Sequence, residues 1–158
     1  MKRRQFLRLA GFTATGELIS SAPPGLAAPV VPWQPDGAGS LARIGLLTPA
    51  FDPVPESEAW AMAPQGVSIH ASRVSMTRGH PGSFAEPPNV DAAVGLLASL
   101  KPSVILYAYT SSSYVLGAQA EEALRIRLEA VVPGIQIVLA AVAASEALRA
   151  LNVRREAV

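Results

Sequence analysis

Short apolar runs alternate with amphipathic stretches along the chain from residue 42 onward. The apolar runs have the length of strands, and strands that alternate with helices are typical of β-α-β units. We therefore predict strands over 42–48, 67–74, 103–108 and 135–140, and helices over 55–63, 89–100, 117–132 and 141–151.

The helix predicted over 117–132 has the clearest pattern. Ala120, Leu124 and Leu128 recur at helical spacing, while Arg125 and Glu129 form a charged pair on another face. Together with the alternating order, this predicts a Rossmann-like α/β fold with three layers (α/β/α) and a mainly parallel sheet.

The stretch over 75–88 is rich in Gly and Pro and predicts a surface loop near the edge of the sheet. A loop of this length is either a lid over a site or an excursion without a role, and the sequence favours neither.

The N-terminus differs from the rest of the chain. A twin arginine, Arg3-Arg4, precedes Phe6-Leu7 and a weakly apolar stretch, and small residues near Ala28 offer a cleavage site. This pattern predicts a twin-arginine (Tat) signal over 1–28, export by the Tat machinery and a periplasmic location. The alternative is an ordinary basic amphipathic helix. Residues 29–41 are predicted as a linker, and 42–158 as the α/β domain.

The charge and the hydropathy of the chain argue against two classes of partner, nucleic acids and membranes. Beyond residue 27 the chain keeps 9 basic and 11 acidic residues of its 13 and 12. Nucleic-acid binding needs a basic face, so no nucleic-acid partner is predicted. Outside the N-terminus no apolar run is long enough to span a bilayer, so no membrane association is predicted after signal removal.

The chain has no cysteine, which excludes disulfides, thiolate metal sites and a thiol nucleophile. Its two histidines, His70 and His80, have no further histidine or carboxylate at a spacing of three or four residues. We therefore predict no metal site.

Ligands of open α/β sheets bind beyond the carboxyl ends of the strands. The third predicted strand runs into the hydroxyl-rich turn Tyr107-Ala-Tyr-Thr-Ser-Ser-Ser113 and then into a helix. This segment is the strongest candidate for a site.

Four segments in order resemble the family of maleate cis-trans isomerases and arylmalonate decarboxylases, within the Asp/Glu racemase superfamily. They are Arg43-Ile-Gly-Leu-Leu-Thr-Pro49, Ser72-Arg-Val74, the segment over 104–117, and Ala147-Leu-Arg-Ala-Leu-Asn-Val-Arg-Arg155. The resemblance covers 43–157 and implies the N-terminal half of a two-domain fold.

The resemblance implies isomerisation, racemisation or decarboxylation of a small mono- or dicarboxylic acid without a cofactor. In this superfamily two similar halves close on the substrate, and hydroxyls and N–H groups at strand ends hold its carboxylate. Thr110 and Ser111 match those hydroxyl positions, and the resemblance adds Pro49, at the end of the first-strand motif, and Asp52 to the predicted substrate-binding residues. Simple capping of the following helix is the alternative role for Thr110 and Ser111.

Two residues depart from the family pattern. Tyr109 stands where most members have cysteine, and a phenol with a pKa near about 10 is a weaker nucleophile than a thiol near about 8.5. Asp52 stands where maleate isomerases carry an asparagine that contacts a substrate carboxylate. A carboxylate there repels a dicarboxylate unless a cation such as Arg73 or Arg78 pairs with it.

The sequence ends at Val158, where a further strand is expected to begin. We therefore predict a truncated domain that is not catalytically competent alone. The alternatives are an exported carboxylate-binding protein without catalysis and an inactive remnant of the family. A homodimer that pairs through the unfinished sheet is a further hypothesis.

Overall fold

The computed structural model describes residues 37–153, which form an α/β fold around a parallel sheet of four strands in the order β2-β1-β3-β4. The strands are β1 (Ala42–Pro49), β2 (Val67–Val74), β3 (Val104–Tyr107) and β4 (Gln136–Leu139). The helices are α1 (Val54–Met62), α2 (Asn89–Ala98), α3 (Thr110–Val131) and α4 (Ala140–Ala150). The predicted fold class and all four predicted strands are confirmed.

Several predictions concern residues outside the described part. The proposed signal, most of the linker and the final five residues fall there, so the boundaries at 28 and 41 and the further strand stay predictions. No helix within residues 37–153 has the length and apolar character needed to cross a membrane.

The helices lie on both faces of the sheet. Successive strand residues point to opposite faces, and on β2 the Val74 side chain joins the core beneath α2 while the Arg73 side chain reaches Glu56 of α1. Helices α2 and α3 therefore cover one face, which we call the closed side, and α1 lies over the other.

The core lies on the closed side. Leu47, Ile105 and Ile137 from three neighbouring strands pack there against Val94 of α2 and Leu128 of α3. A close approach of α2 requires glycine in β1, because a Cβ at Gly45 would lie 2.9 Å from Ile105 and 3.3 Å from Leu97.

Helices α1 and α4 are less well packed than α2 and α3. Neither α1 nor α4 buries a residue, and the main contacts of α4 are with β4 and α3. Trp60 and Met62 of α1 and Val142 of α4 are exposed. We call the outer surfaces of α1 and α4 the open side.

Two predictions need correction. Residues 81–85 of the predicted surface loop form a 3-10 turn in which Ser83, Phe84 and Ala85 are buried, because Phe84 inserts into the core. The third helix begins at Thr110 rather than at residue 117. Gly117 instead breaks it, with φ 75° and ψ 164°, a conformation that glycine alone adopts readily.

Candidate functional site

Four of the five predicted site residues lie at the carboxyl edge of the sheet. Leu47 pairs with Tyr107, and the Ala108 N–H donates to the Leu47 carbonyl at 2.9 Å, so the ends of β1 and β3 lie side by side. Pro49 ends β1 and is buried. The turn after β3 carries the others, of which Tyr109 is half-buried while Thr110 and Ser111 are exposed.

The hydroxyls of Thr110 and Ser111 are not used to cap α3. The N-cap of α3 is Tyr109, and within the described part of the chain no side-chain hydrogen bond caps this helix. Within residues 37–153 neither hydroxyl has a hydrogen-bond partner. Both hydroxyls and the first N–H groups of α3 are therefore open to a ligand.

Hydrogen bonds of the buried side chains of Tyr107 and Ser112 hold this turn in place. The Ser112 Oγ donates to the Tyr109 carbonyl at 3.3 Å and lies 2.6 Å from the Tyr107 hydroxyl. Because a serine has a single proton to give, Tyr107 donates to Ser112. Burial raises the pKa of Tyr107 to about 12, so the phenol keeps its proton at neutral pH.

Phe84 locks the same region from the side. Its ring lies edge-on against Tyr107, with centroids 4.8 Å apart, and against Tyr109, at 5.1 Å. The Ser83 Oγ holds the turn closed, since it accepts from the Thr77 N–H and donates to a main-chain carbonyl, both at 2.8 Å. The Tyr109 ring is thus packed into the protein.

The fifth residue, Asp52, lies after β1 and serves a local structural role. Its carboxylate accepts from the Val54 N–H at 3.1 Å, at the start of α1. Arg73 donates to the Asp52 carbonyl at 2.9 Å and to the Glu56 carboxylate at 2.6 Å. The sequence suggested Arg73 as a partner for the Asp52 carboxylate, and the structure pairs it with Glu56 instead.

Thr48 is a polar residue at this edge that the sequence did not single out. Its side chain is fully buried, and its Oγ1 has no hydrogen-bond partner within residues 37–153. Buried hydroxyls are nearly always hydrogen-bonded. Thr48 lies in an apolar strand, and apart from its place next to Pro49 nothing in the sequence marked it as a site residue.

The two histidines are separate from this edge cluster. His70 on β2 lies 2.9 Å from the Ser68 Oγ through its Nε2, and the exposed His80 accepts a hydrogen bond from Ser83 through its main-chain carbonyl. Among residues 37–153, no group of three or more His, Cys, Asp or Glu side chains is placed to hold a metal ion.

The fold is similar to those of solved carboxylic-acid enzymes. A maleate isomerase variant from Pseudomonas putida S16, solved with maleate, is 23% identical, with a TM-score of 0.62 over 70% of this chain and 49% of that one. The maleate cis-trans isomerase of Nocardia farcinica, bound to Tris, is 24% identical, with a TM-score of 0.61 and coverages of 70% and 49%. A liganded arylmalonate decarboxylase double mutant is 24% identical, with a TM-score of 0.56 and coverages of 72% and 48%.

No protein-family model and no curated protein matches the sequence. The chain spans about half the length of the solved structures that it matches. At these identities the likeness shows the fold, and the chain has the α/β architecture of one half of a two-domain isomerase.

Proposed function

We propose that this chain binds a small carboxylic acid at the carboxyl edge of the sheet, as the anion-holding part of a reaction centre of the maleate isomerase or arylmalonate decarboxylase type. The observation that carries the proposal is the pair of exposed hydroxyls of Thr110 and Ser111 at the start of α3, which have no hydrogen-bond partner among residues 37–153. The solved maleate isomerase with bound maleate supports the ligand class through its shared fold.

The physical fit to an anion has two parts. The first N–H groups of a helix carry partial positive charge and lack intrahelical acceptors. Hydroxyls that flank them add donors that a carboxylate accepts through both oxygens. The Tyr107–Ser112 network holds the Tyr109 carbonyl in place, so these donors are oriented before a ligand arrives.

The same site argues against turnover by this chain alone. Where most members of the family that the chain resembles have cysteine, this chain has Tyr109, whose ring packs against Phe84. The chain has no cysteine to supply a nucleophile or a proton-transfer thiol. We therefore propose binding without catalysis for the single chain, and a second copy in a homodimer as the source of a facing half.

Export is part of the proposal but rests on the sequence alone. The twin arginine and the small residues near Ala28 support passage through the Tat machinery, with the carboxylic acid met in the periplasm. A fusion to a reporter that is active only after export tests this step, with Arg3→Lys/Arg4→Lys as the variant expected to abolish it.

Ligand titration of the full chain tests the binding proposal. Maleate, aspartate and phenylmalonate are added in deuterated buffer while proton NMR follows both chemical shifts of the protein and deuteration of the ligand. We expect saturable binding without exchange, weakened about tenfold in Thr110→Ala and in Ser111→Ala, since each removes one donor to a charged group.

Ser99→Ala is the matched control, because Ser99 lies after α2 at the opposite edge of the sheet and donates only to Leu96. Equal affinity in Thr110→Ala, Ser111→Ala and Ser99→Ala would contradict the assigned site. Ligand deuteration by the wild-type chain would replace the binding proposal with an enzymatic one.

A further inference from the structure

A cleft of about 390 Å³ lies between α3 and α4, beside the carboxyl edge of the sheet. Its walls include Ala118, Ala141 and Val142, and Arg149 stands among the lining residues from the last turn of α4. The volume is that of a small-molecule site. None of the residues assigned to the carboxylate site lines this cleft.

Two buried polar side chains in this cleft lack partners. The Ser113 side chain is 4% exposed and Glu121 is 8% exposed, and within residues 37–153 neither the Ser113 Oγ nor the Glu121 Oε1 has a hydrogen bond. Buried polar atoms without partners are rare and costly. Both residues line the cleft, so a ligand held there is the simplest source of the missing partners.

The Ser113 hydroxyl differs from those of the other helical serines near it. Helical serines usually donate to a carbonyl of the preceding turn, as Ser145 does to Ala141 at 3.0 Å and Ser112 to Tyr109 at 3.3 Å. Within residues 37–153 the Ser113 hydroxyl makes no such bond.

Glu121 differs from the other glutamates of its helix. Glu122 and Glu129 each pair with Arg125 at 2.6 Å, on a more exposed part of α3. Glu121 has no ion pair within the described residues. A buried carboxylate is stabilised by a donor that also carries positive charge, and water supplies only the hydrogen bond.

We propose that the cleft between α3 and α4 binds a small primary amine, whose ammonium group lies between the Glu121 carboxylate and the Ser113 hydroxyl. The apolar part of the amine packs against Ala118, Ala141 and Val142. Arg149 already brings one positive charge to the lining of the cleft, so a monoamine is preferred over a diamine of equal length, which would add two more.

Calorimetric titration of the full chain with butylamine tests the inference, with 1,4-diaminobutane, butyrate and butanol as comparison ligands. We expect saturable binding of butylamine that exceeds binding of each comparison ligand. Glu121→Gln should weaken it about tenfold or more, because the charge is lost while the shape is kept. Ser113→Ala should weaken it severalfold.

The exposed neighbour Glu122 supplies the matched control, and Glu122→Gln should bind butylamine as the wild type does. Glu121→Gln should also raise the melting temperature, since it removes an unpaired buried charge, so lost binding is not confused with unfolding. Absence of saturable amine binding, equal binding by Glu121→Gln, or preferred binding of butyrate would each overturn the inference. If a second copy fills the cleft, a dimer in sedimentation without amine binding overturns it as well.

Discussion

Helices α2 and α4 are of similar length and follow the two outer strands of the same sheet, β2 and β4, yet they differ in what they bury. Helix α2 buries Val90, Ala93, Val94 and Leu97, whereas α4 buries no residue. The larger part of the described core lies on the closed side, and Leu46 and Ile69 are buried on the other face of the sheet. The closed side supplies its own packing, whereas the open side presents exposed apolar residues.

The unpaired polar atoms of α3 follow the same division. The Tyr107 hydroxyl, on the closed side, is hydrogen-bonded at 2.6 Å although it is fully buried. Ser113 and Glu121, next to α4, are buried without partners within the described residues. On the closed side apolar side chains are buried and the Tyr107 hydroxyl has a hydrogen-bond partner. Near α4, apolar side chains are exposed and two buried polar atoms have no partner among the described residues.

The largest expected difference is between Phe84 on the closed side and Phe51, an exposed residue between β1 and α1. Phe84→Ala should lower the free energy of unfolding by about 3–5 kcal/mol, because it removes a fully buried ring that contacts two tyrosines. Phe51→Ala, at a ring that is 67% exposed, should change it by less than about 0.5 kcal/mol. Urea unfolding measures both, and similar losses would remove the distinction between the sides.

A second difference should appear in alkaline solution. Burial raises the pKa of Tyr107 to about 12 in the folded protein, above its value near about 10 in the unfolded chain. The folded state therefore holds the phenolic proton more tightly. The resulting contribution to the free energy of unfolding is fully present below a pH of about 10. Stability should fall by about 3 kcal/mol as pH rises through about 12.

Tyr107→Phe should remove that part of the alkaline loss, and Tyr114→Phe, at an 80% exposed ring, should leave it unchanged. Thermal unfolding across the pH range provides the measurement. An alkaline profile of Tyr107→Phe that matches the wild type would show that the buried phenol does not control it.

The smallest expected effect is the most direct comparison of α2 with α4. Val94→Ala should cost about 2 kcal/mol, since it removes buried methyl groups from the core. Val142→Ala should change the stability of the monomer by less than about 0.5 kcal/mol. If Val142→Ala costs as much as Val94→Ala and the cost rises with protein concentration, a second copy covers α4.

The sheet was predictable because its strands are nearly continuous apolar runs. β2 was predicted with both of its bounds, and the other strands differ by one residue at one or both ends. Helix α2 was also expected from residue 89, although it ends two residues earlier than predicted, at Ala98.

The first turn of α3 was missed because it lacks the signals that mark a helix. Three consecutive serines carry no apolar periodicity and are modest helix formers, while Gly117 reads as a helix boundary. The burial of Phe84 was hidden for another reason. Glycine and proline predict a loop, but they do not reveal that one aromatic ring in the loop will reach the core.

The site residues were found through chain position, and their contacts were not. Strand ends in a parallel sheet share an edge, so the grouping of Pro49 with Tyr109 follows from topology. Whether Arg73 would pair with Asp52 or with Glu56 depends on the path of the connection into α1, which no local pattern encodes.

The two outer strands differ in how readily they would accept a further strand. Within the described residues β2 pairs only with β1 and β4 only with β3, so each leaves one side of its backbone without a ladder. β4 has four residues and β2 has eight, and a longer unpaired edge is a better template for intermolecular strand addition. Among the described strands, β2 is therefore the better template for unwanted intermolecular pairing, and the exposed Arg73 is the charged side chain of β2 that disfavours such pairing.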